Sequence, residues 1–278
     1  ILARLIGPKM AERLGQAVVV ENRAGASGQI GLDLLARATP DGYTIGVGQG
    51  GNLVVAPHTY KKLSYDPLKD FVAVSLLATN YLAIVANPEV PFKTPAEMVA
   101  WAKQNPGRLT LATNGEGGFP HLAFEHLRTM AGFTYTHVPY KGAAQIMTDV
   151  IGGQVQMGIG AYTSLSVQVK TGRVKLLGVT NPVKVPNSPD LPLLADAVPG
   201  YDSRGWFGYV APAGTPRDIV RRLNEEINRA MKQPDVAEKM INAGLIIVDE
   251  SAEHFGDFIR SEYRKYGKLV RDIGFQPQ

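Results

Sequence analysis

The sequence Leu109-Thr-Leu-Ala-Thr-Asn-Gly-Glu-Gly-Gly-Phe-Pro-His121 contains a short strand, a loop and the beginning of a helix. Residues 109–112 predict a buried strand, and the apolar residues from Leu122 onward recur at helical spacing. The loop between them, residues 113–118, is small, polar and rich in glycine. Such a junction directs unpaired backbone N–H groups and the positive end of a helix dipole towards one point. It is therefore a candidate site for a carboxylate or a phosphate.

Two glycines strengthen this interpretation. Gly117 and Gly118 lack a Cβ, so a ligand can approach their backbone closely. Each charge-assisted hydrogen bond to an anion is worth roughly 1.5–3 kcal/mol. The same pattern is also typical of an ordinary turn before a helix. The stretch alone leaves both interpretations open.

The composition is that of an ordinary globular protein, and it excludes several kinds of chemistry. The chain has 278 residues, of which 45% are hydrophobic and 19% charged, and its net charge is +4. The absence of cysteine excludes disulfides, thiolate nucleophiles and cysteine metal ligands. Basic and acidic residues alternate along the helices, which argues against nucleic-acid binding. No two histidines have the i, i+4 spacing of a zinc site, so no metal or cofactor is expected.

Strands and helices alternate along the chain, which predicts an α/β fold. Residues 17–21 are expected to form a buried strand, and residues 71–86 either two strands or one crossing strand. The pattern predicts two α/β lobes joined by crossing strands near residues 80 and 206. Residues 1–81 and 207–278 would form lobe 1, and residues 82–206 would form lobe 2. Because the first residues resemble the middle of a helix, a preceding segment is expected to be missing.

Motifs that carry catalysis are absent from the sequence. It contains no G-x-S-x-G elbow, S-x-x-K motif or P-loop, and its acidic residues are scattered singly. Residues 46–51 formally match the dinucleotide-binding fingerprint G-x-G-x-x-G. Because no helix is expected directly after them, we reject a dinucleotide site and interpret these residues as either a ligand-facing loop or a plain turn. We expect His121 to cap the 113–118 loop and His126 to be a surface or hydrogen-bonded residue. Catalytic motifs are absent whereas glycine-rich loops before helices are frequent, which favours a binding protein over an enzyme.

Short motifs occur along the chain in the order found in one protein family. They are Val19-Val-Glu-Asn-Arg-Ala-Gly-Ala-Ser-Gly-Gln-Ile-Gly31, Pro40-Asp-Gly-Tyr-Thr44, Leu63-Ser-Tyr-Asp-Pro67, Lys69-Asp-Phe71, His137-Val-Pro-Tyr-Lys-Gly142, Gly205-Trp-Phe-Gly208 and Ala211-Pro-Ala-Gly-Thr-Pro216. Through them the chain resembles the substrate-binding proteins of tripartite tricarboxylate transporters, the Bug family of periplasmic receptors. The resemblance covers essentially the whole chain and says little about the ligand.

The resemblance implies a type II periplasmic-binding-protein fold, with two lobes, two crossing strands and a cleft that closes on a small organic acid. It also implies a monomer in the periplasm that delivers its ligand to a membrane permease, with no catalytic residue. Carried over by position, the ligand-binding residues fall into two groups. One group is Gly48, Gln49, Gly50, Gly51 and Asn52, and the other is Thr113, Asn114, Gly115, Glu116, Gly117, Gly118, Phe119, Tyr140, Lys141, Gly160, Ala161 and Tyr162.

The chain departs from the family pattern at two points. Relatives begin with a further strand and a loop that contributes to the site, so the set of site residues is expected to be incomplete. Relatives more often carry a small or neutral residue at the position of Glu116. A carboxylate there would oppose an anionic ligand, or favour a ligand that also carries an amino group.

Three hypotheses of function follow. The first is a non-catalytic receptor that binds a small carboxylate, with Phe119, Tyr140, Tyr162 or Trp206 either packed on the ligand's carbon skeleton or buried in a core. The second is a ligand-sensing partner of a membrane sensor kinase. The third is an enzyme on the same scaffold that depends on Glu116 or His121.

Overall fold

A computed structural model describes residues 1–23, 25–186 and 188–277. Residues 22–28 are rich in glycine and predict a turn, and residues 181–204 are rich in Pro, Asn, Asp and Ser and predict a surface connection. Ala24 in the first segment and Asn187 in the second lie outside the described residues. The helices are α1 Leu2–Leu14, α2 Gln29–Ala36, α3 Ala56–Thr59, α4 Pro95–Gln104, α5 Phe119–Ala131, α6 Ala143–Ile151, α7 Tyr162–Lys170, α8 Leu194–Ala197, α9 Arg217–Met231, α10 Pro234–Asn242 and α11 Ala252–Asp272. The strands are β1 Gly46–Gln49, β2 Phe71–Asn80, β3 Leu82–Ala86, β4 Thr110–Asn114, β5 Thr136–Tyr140, β6 Met157–Ala161, β7 Lys175–Val179, β8 Gly205–Pro212 and β9 Ile246–Ile247.

The chain divides into two compact units, each with its own sheet. Unit 1 consists mainly of Ile1–Thr79 and Trp206–Lys268, and unit 2 of Asn80–Gly205 and Leu269–Phe275. The α/β fold with two sheets that the sequence predicts is confirmed. Among the described helices, none combines the length and apolar composition that a membrane span requires.

Unit 1 is built on a sheet with the strand order β1-β8-β2-β9. β1 pairs antiparallel with β8, and β2 pairs antiparallel with β9. The apolar stripes of α1 and α9 pack on β2, so Ile6, Val74, Leu77 and Ile227 are fully buried in one core. This core fixes β1, and with it the turn that follows at residues 49–52.

Unit 2 is built on a sheet with the strand order β5-β4-β6-β3-β7. β4 runs parallel to β5 and β6, whereas β3 runs antiparallel to β6 and β7. The carboxyl ends of β4, β5, β6 and β7 therefore lie at one edge of the sheet, together with the beginning of β3. The core beneath this edge contains the fully buried residues Leu111, Phe124 and Met157.

The sequence Thr94-Pro-Ala-Glu97 is a capping box with proline at the first helical position, and the structure confirms the helix start that this pattern predicts. The hydroxyl of Thr94 accepts a hydrogen bond from the N–H of Glu97 at 3.2 Å, and the Glu97 carboxylate accepts one from the N–H of Lys93 at 2.7 Å. Pro95 occupies the first helical position, where it needs no N–H partner. Together these groups satisfy backbone donors that the helix itself cannot.

Some of the predicted elements are wrong. Residues 17–21 form no strand, and Val19 is 81% exposed, because no described strand pairs with them and an isolated valine run has no partner for its backbone groups. Residues 71–86, by contrast, form two strands, β2 and β3, which is one of the two predicted alternatives. The sequence Pro139-Tyr-Lys-Gly142 predicts a turn, but residues 139 and 140 instead end β5, because β4 supplies a neighbour for them.

The glycine motif at residues 46–51 is also followed directly by helical structure, contrary to the expectation. Gly51–Val55 form a π-helical turn that continues into α3. The turn forms because Leu53, Val54 and Val55 are buried on it, and tertiary packing outweighs the low helix propensity of valine. The expected absence of a helix was the reason for rejecting a dinucleotide site, and that reason is wrong, although these helical segments are short.

The capping arrangement of α4 gives a testable expectation. Thr94→Ala should lower the free energy of unfolding by about 1 kcal/mol, because the Glu97 N–H loses its acceptor. Thr94→Ser keeps the hydroxyl and should stay close to the wild type. Thermal unfolding of the three proteins compares them. Equal midpoints for the alanine and serine variants would contradict the capping role.

Candidate functional site

The predicted ligand-binding segments of unit 2 meet at one edge of its sheet. Asn114 ends β4, Tyr140 ends β5 and Ala161 ends β6, and these strands run in the same direction. Asn114 lies beside Tyr140 in the β4–β5 register. In α/β sheets, ligands bind outside the carboxyl ends of the strands. The segments at residues 113–119, 140–141 and 160–162 are therefore brought to one place.

The loop between β4 and α5 is fastened by its own hydrogen bonds. The buried Thr113 hydroxyl donates to the carbonyl of Gly115 at 2.9 Å, and the Gly115 N–H donates to the carbonyl of Thr113 at 3.0 Å. The Gly117 N–H donates to Nδ1 of His121 at 3.0 Å. The expectation that His121 caps this loop is confirmed.

The remaining N–H groups of the loop are left for another acceptor. Gly118 is the N-cap of α5 and has no side chain to accept a hydrogen bond, and the first helical bond runs from Leu122 to Gly118. Within the described part of the chain, the N–H groups of Glu116 and Gly118 donate to no protein acceptor. α5 has thirteen residues, so its dipole adds positive potential at this point.

Two histidine rings lie next to this loop. The ring of His121 stacks on that of His137 at a centroid distance of 3.9 Å and an interplanar angle of 7°. Nε2 of His137, on β5, lies 2.6 Å from the Thr113 hydroxyl oxygen. On the other side, Nε2 of His121 lies 3.8 Å from the Glu125 carboxylate, which pairs with Arg128 at 2.6 Å.

Both histidines are neutral at neutral pH. Burial, with smaller contributions from His137 and Arg128, lowers the pKa of His121 to about 3. Burial also lowers the pKa of His137, while the carboxylates of Glu116 and Glu125 act in the opposite direction. Because His121 is uncharged, its Nδ1 carries a lone pair that can accept the Gly117 N–H.

The chain terminus contributes a residue that the sequence analysis does not identify. The ring of Phe275 belongs to unit 2 and lies against Gly117 and the edge of the His121 ring, at a centroid distance of 6.3 Å. A Cβ at position 117 would lie 2.6 Å from the Phe275 ring. Phe275 therefore covers one side of the loop. No local signal connects a residue after α11 to a loop at residue 117.

The other predicted site residues at this edge differ in the chemical groups that they carry and in whether those groups already have a partner. The Tyr140 hydroxyl donates to the Asp149 carboxylate at 2.6 Å, and burial together with this carboxylate raises the pKa of Tyr140 to about 12. Lys141 is exposed and carries an ammonium group. Tyr162 packs its ring on that of Tyr81 at 5.4 Å, and Tyr81, which the sequence analysis does not identify, is buried at the beginning of β3.

In unit 1, the segment from Gly48 to Asn52 forms a tight turn. Oδ1 of the buried Asn52 accepts the N–H of Gln49 at 2.9 Å, and the carbonyl of Asn52 accepts the Tyr65 hydroxyl at 2.7 Å. Gly48 packs on Leu53, whereas a Cβ at Gly51 would meet no atom within 4 Å. Asn52 therefore shapes the turn, and Gly51 is its open part, whereas Gly50 is buried.

Several aromatic and histidine residues have structural roles. Trp206 is 1% exposed and packs against Phe255 and Phe258 in unit 1, so it is a core residue and the core alternative holds for it. Phe119 packs against the apolar core of unit 2. His126 is hydrogen-bonded to the Ser203 hydroxyl at 3.0 Å, as one of the alternatives predicts.

The family profile of the tripartite tricarboxylate transporter family receptor, TctC, matches residues 2–275 of the chain. The chain belongs to this family. A relative encoded in the tcbD–tcbE intergenic region of Pseudomonas sp. strain P51 is 39% identical over 271 residues, which are 97% of this chain and 80% of that protein. The family resemblance seen in the sequence is confirmed.

Solved structures of similar receptors include two with bound acids. MatC from Rhodopseudomonas palustris, solved with bound malate, is 29% identical with a TM-score of 0.76, and the match covers 97% of this chain and 93% of MatC. A second protein from R. palustris, solved with adipate, is 30% identical with a TM-score of 0.81, over 100% of this chain and 93% of that protein. TctC-family proteins are solute-binding receptors, so the chain is a receptor and not an enzyme.

The contact between Gly117 and Phe275 can be tested against a matched glycine. Gly115 and Gly117 both have positive φ, of 89° and 69°, so alanine at either position costs about 1–2 kcal/mol of backbone strain. Only at Gly117 does the new methyl group also collide with a ring, because nothing lies within 4 Å of a Cβ at Gly115. Gly117→Ala should therefore lower the thermal midpoint more than Gly115→Ala. The double variant Gly117→Ala/Phe275→Ala should lose less stability than the sum of the losses in the two single variants, because the methyl group then has no ring to collide with. A loss equal to that sum would contradict the contact.

The lowered pKa of His121 predicts a loss of stability in acid. In the unfolded chain His121 binds a proton near its ordinary pKa of 6.5, whereas in the folded chain it stays neutral down to about pH 3. The folded state therefore loses stability as the pH falls below 6.5, because protons bind to the unfolded chain first. At pH 5 the loss due to this residue should be about 2 kcal/mol. His121→Asn keeps an acceptor for Gly117 but cannot titrate. Unfolding at pH 7.5 and pH 5 should show a smaller acid effect in the variant, and equal effects would refute the role of His121.

Proposed function

We propose that this receptor binds a small organic carboxylate through the main chain of residues 115–118 and delivers it to a membrane permease of the tripartite tricarboxylate type. The observation that carries the proposal is the fastened loop at the N-terminus of α5, where the N–H groups of Glu116 and Gly118 have no described protein acceptor. A carboxylate oxygen is an acceptor of suitable charge and size. The family places such receptors in the periplasm, and we propose that location here.

The energetic basis is a site that is formed before the ligand arrives. Each charge-assisted hydrogen bond to a backbone N–H contributes roughly 1.5–3 kcal/mol. Because Thr113 and His121 already hold the loop, little conformational entropy is lost on binding. The helix dipole contributes about 0.3–1 kcal/mol more towards a negative charge.

Other groups at the same edge would set which carboxylate binds. The exposed ammonium of Lys141 is suited to a second carboxylate, and the paired rings of Tyr81 and Tyr162 to a carbon skeleton. The two R. palustris proteins, solved with malate and adipate, support a dicarboxylate. The carboxylate of Glu116 disfavours extra negative charge and favours a ligand that also carries an amino group.

A second candidate function uses the same binding site and a different partner. A receptor that closes on its ligand could dock on a membrane sensor kinase instead of a permease. Co-purification of the ligand-loaded receptor with either membrane protein would separate the two roles.

The ligand class is tested by thermal unfolding with a panel of monocarboxylates, dicarboxylates, tricarboxylates and amino acids. A ligand present at 100 times its dissociation constant should stabilise the receptor by about 2.7 kcal/mol. No response to any member of the panel would contradict the proposal.

The role of the backbone is tested at Gly118, whose φ of −74° is close to the value that proline requires. Gly118→Pro removes the proposed donor, whereas Gly118→Ala adds a Cβ and keeps the N–H. The alanine variant should retain the ligand-induced shift, and the proline variant should lose most of it. The midpoints without ligand show whether both variants fold. Equal ligand shifts in the two variants would show that this N–H does not bind the ligand.

A further inference from the structure

The hydrogen bonds around Thr113 define the protonation state of His137. A threonine hydroxyl has one hydrogen, and that of Thr113 is directed to the carbonyl of Gly115. The Thr113 oxygen therefore accepts a hydrogen bond from Nε2 of His137, 2.6 Å away. The neutral His137 ring then carries its proton on Nε2, and a second proton would be added at Nδ1.

The two stacked histidines differ in what protonation would do to the loop. Nδ1 of His121 is the acceptor of the Gly117 N–H, so a proton there would break the bond that holds the loop. Nε2 of His137 already donates to Thr113, and protonation at Nδ1 leaves that bond in place. With the ring centroids 3.9 Å apart, two positive rings would repel each other strongly. His137 is therefore the ring that can become charged while the loop keeps its shape.

The charged groups around His137 come from the loop and from α5. The carboxylates of Glu116 and Glu125 favour its charged form, and Arg128 is engaged by Glu125. Burial is the larger influence, and it keeps His137 neutral at neutral pH when no ligand is present. A ligand anion that arrives nearby adds a further negative charge, which raises the pKa of a neighbouring histidine.

We propose that binding of a carboxylate at residues 115–118 is coupled to the uptake of one proton from solvent by Nδ1 of His137. This inference rests on the function proposed above and adds the regulation of the same site. The imidazole becomes an imidazolium, whose charge offsets that of Glu116 next to the ligand. Affinity for the anion consequently rises as the pH falls between the pKa of His137 in the complex and its lower pKa in the empty receptor.

Isothermal titration of the receptor with malate, and separately with adipate, measures this coupling. At pH 7 carboxylic acids are fully ionised, so the ligand contributes no proton of its own. Titrations in HEPES and in Tris differ in heat by the number of protons taken up multiplied by the difference between the ionisation enthalpies of the two buffers. The wild type should take up as much as one proton per ligand, and its affinity should rise by up to tenfold for each unit that the pH falls within the range in which protons are taken up.

Two variants assign the proton to its residue. His137→Gln keeps an N–H that can donate to Thr113 but cannot be charged, so it should bind without proton uptake and with an affinity that no longer depends on pH. The matched control His254→Gln changes an exposed histidine on α11 and should behave as the wild type. A third variant, Glu116→Gln, removes a carboxylate that favours the charged ring and should move the pH-dependent range to lower values.

Each outcome distinguishes between the two proposals. Binding of either acid without proton uptake, or uptake that persists in His137→Gln, overturns the coupling and leaves the proposed function standing. A wild type that binds neither acid at any pH contradicts the proposed preference for a dicarboxylate and the coupling with it. Circular dichroism of His137→Gln confirms that a change in binding does not reflect unfolding.

Discussion

The hydrogen bond from the Gly117 N–H to Nδ1 of His121 is the constraint on which the candidate site depends. It joins the tip of the loop to the first turn of α5, and it exists because His121 is buried and uncharged. Without it, a run of four residues with glycine at three positions would have many conformations of similar energy. Together with the Thr113 hydroxyl, the neutral imidazole of His121 fixes the positions of the backbone donors in this loop.

The candidate anion site does not depend mainly on cationic side chains, because the N-terminus of α5 supplies backbone donors and the positive end of a helix dipole. The loop presents partial charges from backbone groups and a helix terminus, while the acidic side chain of Glu116 stands beside them. Arg128 is near the site but is engaged by Glu125. A site of this kind binds an anion mainly through the geometry of directed backbone dipoles.

Features of the fold and of the candidate site that depend on residues close together in the chain could be predicted from the sequence. The β4–α5 junction, the capping of α4 and the role of His121 each depend on residues a few positions apart, and the structure confirms them. The valine run at residues 17–21 shows the limit, since its strand propensity could not reveal that no described neighbour pairs with it. His137 and Phe275 were missed for a related reason. Their importance comes from stacking and packing across distant parts of the chain, which no periodicity records.

The pairing of β1 with β8 has a consequence for how the polypeptide acquires its structure. Gly46 lies opposite Val210, so the sheet of unit 1 cannot be completed until most of the chain has left the ribosome or the export channel. The strands of unit 2 are all drawn from residues 82–179, and their contacts are closer in sequence. Closing shorter loops costs less entropy, so unit 2 is expected to fold first, before the early residues pair with their partner strand.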